Sequence, residues 1–74
     1  MACPMTFKYR CTDARTGESD YELTDGDKFI GTVTQTATGY DLNWRGEHDL
    51  SWCELVERFG IDDVIQPNEP VWVE

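Results

Sequence analysis

Residues 6 to 11, TFKYRC, alternate strictly, with Phe7, Tyr9 and Cys11 on one side and Lys8 and Arg10 on the other, the period-two signature of a half-buried strand. Turn-forming residues follow through TDARTGESD, and YEL resumes the alternation with Tyr21 and Leu23 inward and Asp20 and Glu22 outward. TDGD reads as a tight hairpin turn, because Gly26 accepts positive φ and Asp25 suits the position before it. KFIGTVTQT (28 to 36) is β-branched and Thr-rich; it places Phe29 and Val33 on one face and Ile30 on the other, and Gly31 marks a bulge or a close approach. YDLNWR (40 to 45) alternates again, Tyr40, Leu42 and Trp44 against Asp41, Asn43 and Arg45, which makes an antiparallel meander of four strands by residue 45.

The period changes at residue 51. Ser51 with Glu54 three positions later is a capping box, and Leu50 with Leu55 has hydrophobic-staple spacing around it. Trp52, Leu55, Val56 and Phe59 then fall on one helical stripe, and Gly60 supplies the stop, which predicts a helix over about 52 to 59. So short a helix is unstable alone, so its stripe must pack on the sheet. Ile61, Val64 and Ile65 are expected in a turn or short helical piece, and Val71, Trp72 and Val73 in a terminal edge strand. The expectation is an α+β fold in one domain spanning 1 to 74: an antiparallel β-meander of four to five strands with one short α-helix packed on one face.

Charge sharpens this picture. Fifteen acids stand against six Lys and Arg in 74 residues, a net charge of −9. Such a balance disfavours direct binding to nucleic acid or anionic lipid, both of which require a basic footprint, and favours a basic partner. The acids are also segregated. Residues 13 to 27 hold Asp13, Glu18, Asp20, Glu22, Asp25 and Asp27 against Arg15 alone, and residues 47 to 63 hold Glu47, Asp49, Glu54, Glu57, Asp62 and Asp63 against Arg58 alone. Glu54 and Arg58 are spaced as an ordinary helix pair. No signal-peptide run or membrane-length apolar stretch appears, so the expected location is cytoplasmic, with no membrane partner.

Catalytic and metal chemistry find little support in the residue pattern. Cys3, Cys11, His48 and Cys53 would make a four-ligand zinc set, but neither the gap between the first two nor His-x4-Cys forms a Cys-x2-Cys knuckle, so neither metal nor cofactor is expected. Cys53 lies near a helix start, where the dipole favours a thiolate, yet Glu54 opposes it and no third orienting group is evident. The carboxylates lack both calcium-loop order and the walled cleft that acid–base catalysis needs. The chain is therefore expected not to be an enzyme.

What remains is a binding surface. Glu18, Asp20 and Glu22 on one strand face would stand about 6.5 to 7 Å apart, comparable to successive phosphates, and carboxylates accept bidentate guanidinium bonds as phosphates do. The expected function is a small acidic inhibitor that mimics nucleic acid and blocks the basic groove of a nucleic-acid-binding protein. Glu18, Asp20, Glu22, Asp25 and Asp27 are the first candidate contacts, and Glu54, Glu57, Asp62 and Asp63 the second. The alternative is a non-catalytic subunit or interaction domain that binds through apolar and aromatic surface, since Trp44, Trp72 and Tyr40 exceed what one thin core hides.

In general style, a small, highly acidic domain with a meander and one helix is similar to phage-encoded inhibitors of host defence, the anti-CRISPR and anti-restriction proteins. That resemblance implies action in a host cytoplasm and carries no residue across. YELTDGDKFIGTV (21 to 33) also resembles the Leu-x-Asp-Gly turn of small Sm-like barrels, including the acidic Rof family of Rho inhibitors. Those barrels usually begin with a helix, whereas the strongest helix of this chain lies near its end.

Overall fold

The computed structural model describes residues 5–74. The alternation at the start of the chain builds β1 (Met5–Asp13), which pairs antiparallel with β2 (Ser19–Asp25), and β2 pairs antiparallel with β3 (Lys28–Gln35). A two-residue loop, Gly26 and Asp27, joins β2 to β3, with Gly26 at φ 61°, the positive value that tight hairpins need at this position. β4 (Tyr40–Leu42) and β5 (Glu47–Leu50) extend the meander, α1 (Trp52–Phe59) follows, and β6 (Ile61–Ile65) and β7 (Trp72–Val73) return to β1. The sheet order is β5-β4-β3-β2-β1-β6, with β7 also on β1. The protein is thus α+β, a mostly antiparallel sheet with a single short helix.

One face of the sheet carries the core. Phe7, Tyr21, Leu23, Val33, Leu42 and Ile61 are buried there together with Leu55 of α1, while Trp52, Val56 and Phe59 pack half-buried around them. Aromatic rings dominate this layer: Phe7 stacks on Tyr21 with centroids 4.3 Å apart and meets Trp52 edge-on at 5.1 Å. The ends of α1 follow the sequence. Ser51 Oγ accepts from the Glu54 N–H at 3.1 Å, and Gly60 adopts φ 65° with its N–H donating to the Val56 carbonyl.

Four local expectations are corrected. A bulge between Tyr9 and Cys11 inserts Arg10 as an unmatched residue, so beyond it the faces exchange: Thr12 is buried, and Cys11 turns outward beside Asp20. A second irregularity, between Leu23 and Thr24, sets Phe29 opposite outward-facing Thr24 while Val33 faces inward opposite Tyr21, so Phe29 and Val33 do not share a face. The strand expected over 40 to 45 ends at Leu42, and residues 43 to 46 turn into β5, a strand that the alternation did not predict. Residues 61 to 65, expected as a turn or helical piece, form β6, a strand parallel to β1.

Gly31 is a close approach. A Cβ there would fall 2.3 Å from Trp44 Cδ2, so the indole of the 43–46 turn lies directly over the glycine. Among the described residues, no helix is long and apolar enough to cross a membrane.

Candidate functional site

β-strand parity sends Asp20 and Glu22 to the sheet face opposite the core, and the same parity brings cations there from β1. Lys8 is the ladder partner of Glu22, and Arg10 Nε lies 3.3 Å from Glu22 Oε1. Asp20 is engaged differently, accepting from the Thr34 hydroxyl at 3.0 Å and facing the Cys11 thiol at 3.8 Å. Burial and the Asp20 carboxylate raise the Cys11 pKa, which keeps this sulfur a thiol. Glu18 precedes β2, and its carbonyl accepts from the Asp13 N–H. Of the row expected from Glu18, Asp20 and Glu22, only Asp20 and Glu22 lie on the strand, and the protein's own β1 cations stand beside them.

The other acids are less occupied. Of the nine candidate carboxylates, only Glu22 makes an ion pair among the described residues. Two of the three paired arginines converge instead on Glu47. Arg58 meets it in a bidentate fork, Nη1 to Oε1 at 2.8 Å and Nη2 to Oε2 at 3.0 Å, and Arg45 Nε reaches Oε2 at 2.8 Å. This fork, chiefly the Arg58 hydrogen bonds, holds the Glu47 carboxyl below its usual range. Arg58 thus reaches across to β5 and does not form the expected i, i+4 pair with Glu54. Glu54 and Glu57 remain exposed on α1, which packs on the core face, across the sheet from Asp20 and Glu22.

The topology does bring parts of the two acidic segments together. Met5 pairs with Asp25 on one side and Ile61 on the other, and Thr6 pairs with Thr24 and Asp63. Asp25 and the Asp27 turn therefore share one end of the sheet with Asp62 and Asp63, the strands β2 and β6 lying two spacings or about 10 Å apart, with Asp25 on the face of Met5 and Asp63 on the opposite face with Thr6. All four are exposed. This meeting is invisible in the sequence, because it depends on β6 lying parallel to β1.

Of the aromatics expected to be left over, Trp72 and Trp44 are exposed and Tyr40 is half-buried, and around Trp72 lies a run of exposed aliphatic groups that sequence reasoning did not name. Val64, Ile65, Val71, Trp72 and Val73 are all exposed, Trp72 by 61%. A cavity of about 190 Å³ opens beside them, walled by Phe7, Tyr21, Tyr40, Trp52 and Val64. Burial raises the pKa of Tyr21 and Tyr40, so both hydroxyls stay neutral, and the Tyr21 hydroxyl donates to Gln35 Oε1 at 3.3 Å. This volume is below the range that encloses a drug-sized ligand.

The zinc set suggested by residue type is not assembled by the described part of the chain. Cys3 lies outside the described residues, Cys11 and Cys53 sit on opposite sides of the sheet, and His48 Nδ1 faces Asp41 Oδ2 at 3.4 Å. Among the described residues, no group of three or more His, Cys, Asp or Glu is placed to hold a metal ion. Comparison with protein-family models, curated proteins and solved structures finds no match to this chain.

Proposed function

We propose that this protein is a non-catalytic acidic binder that occupies the basic groove of a nucleic-acid-binding protein and blocks it, acting in the cytoplasm. The observation that carries the reading is the placement of Asp25, Asp27, Asp62 and Asp63 around one end of the sheet, exposed and without ion pairs among the described residues. Fixed carboxylates on a folded scaffold face a basic groove with little ordering cost, and the field of the whole molecule accelerates encounter. The complex should weaken steeply with salt.

The test is competition. Proteins captured from a lysate at low salt and released by salt are expected to bind nucleic acid, and this protein is expected to displace DNA or RNA from them. Asp→Asn at positions 25, 27, 62 and 63 should weaken displacement at least about tenfold, while the charge-matched set Asp13→Asn, Asp41→Asn, Glu69→Gln and Glu74→Gln should weaken it less than about threefold. Equal losses would mean that bulk charge acts without a patch, and the reading would fail.

A second reading, an interaction domain binding through apolar surface, draws on exposed Trp72, Ile65 and Val71. It would give an affinity nearly indifferent to salt.

A further inference from the structure

β6 is the outermost strand on its side of the sheet, and every residue from Asp62 to Ile65 is exposed. In a parallel ladder, alternate residues of an edge strand turn their N–H and C=O away from the neighbour, so this edge offers backbone groups to another chain. Val64 is the ladder partner of Phe7 on the core face, and Ile65 that of Lys8 on the opposite face. A strand laid alongside would therefore find an apolar side chain on either side. Asp62 and Asp63 stand at the beginning of the same strip, while β7, with exposed Trp72, continues beyond the segment bearing Pro67 and Pro70.

We propose that the β6 edge is a strand-addition site for an extended basic segment of the partner protein. The segment pairs its backbone with β6, turns alternate apolar residues to the core face beside Val64, and turns the Lys or Arg between them to the opposite face, where Asp63 stands and where their aliphatic stems cover Ile65. This inference rests on the acidic-binder reading and names how that surface grips. Charge selects the occupant. A second copy would bring another chain of net charge −9 and a second Asp62–Asp63 pair to the same edge, so the carboxylates that repel a twin attract a basic strand.

Three synthetic probes test it: a decapeptide of alternating Lys and Val, the same peptide N-methylated at every residue, and decalysine. Nuclear magnetic resonance of the labelled protein reads the amides of residues 62 to 65. The alternating peptide should shift those amides and slow their exchange, and the N-methylated form, with the same charges but no N–H, should bind at least about tenfold more weakly. Asp62→Asn with Asp63→Asn should lower affinity for the alternating peptide about threefold to tenfold while the folded spectrum persists. Equal binding of the methylated and unmethylated peptides, or shifts confined to other residues, would overturn strand addition. If decalysine binds at low salt while the alternating peptide leaves β6 untouched, the edge inference fails and the acidic-binder reading stands. If decalysine does not bind at all, both fail. Sedimentation showing a dimer with residues 62 to 65 protected before any peptide is added would give the edge to a second copy and overturn the proposal.

Discussion

The two edges of the sheet are finished in different ways. At β5 the strand is four residues long, Asp49 breaks its extended path at φ 60°, and the Thr38 hydroxyl clamps the Asp49 carboxylate at 2.5 Å. The Arg45–Glu47–Arg58 fork then ties that edge to α1. At β6 there is no comparable brace among the described residues, and the strand is exposed along four of its five positions. Natural sheets blunt their edges against unwanted pairing. One edge here is blunted by backbone shape and ion pairs, the other by Asp62, Asp63 and nearby prolines. Only the first method also half-buries part of the strand, at Glu47 and Leu50.

The contrast is tested first where the effect should be largest. Leu42 of β4 is fully buried, so Leu42→Ala should cost about 3 kcal/mol, against less than about 1 kcal/mol for Val64→Ala on the open side, as read by urea unfolding. Comparable costs would show that the β6 side is as well packed as the other. Next comes Gly31→Ala, whose Cβ would collide with the Trp44 indole. A loss of about 2 kcal/mol is expected, and an unchanged unfolding midpoint would mean that the 43–46 turn shifts freely.

The ion-pair brace should be visible in acid. Because Arg58 holds the folded-state Glu47 carboxyl below its ordinary value, the pair's stabilisation is fully present above the ordinary carboxylate range and disappears as pH falls through the depressed value. The stability difference between the protein and Glu47→Gln should therefore shrink on acidification, and a difference independent of pH would remove the carboxylate from the account. The smallest expected effect is at the open edge: Trp72→Ser should change folding stability by less than about 0.5 kcal/mol, measured by thermal melting. A larger loss would make Trp72 part of the structural core.

Local chemistry made much of the fold legible. The Tyr21 and Leu23 alternation, the Gly26 turn, the Ser51 cap and the Gly60 stop each act within a few residues, and all appear where the pattern puts them. Gly31 also carried a readable warning of close approach, although Trp44 could not be named as the group above it. The Arg10 bulge was not readable, since TFKYRC alternates without interruption and the slip is set by pairing with β2. IDDVI escaped for a related reason: an edge strand exposed on both faces has no period-two pattern, and its partner lies more than fifty residues earlier. The candidate carboxylates could all be nominated from sequence. Which of them share an end of the sheet could not, because Asp25 and Asp63 come to flank the same end only through β1, just as Glu47 gathers its two arginines only through the β5 and α1 arrangement.

The division of labour along β1 sets a limit on vocabulary. Its first half pairs with β6 and its last residues with β7, and the chain between them leaves the sheet. An incoming strand on β6 therefore meets a frame of five residues, about 16 Å, in which the register slips at Asp62 and runs regularly only from Asp63 to Ile65. So brief a frame spells only a short word, and any discrimination among partners must come from how charged and greasy letters alternate within it.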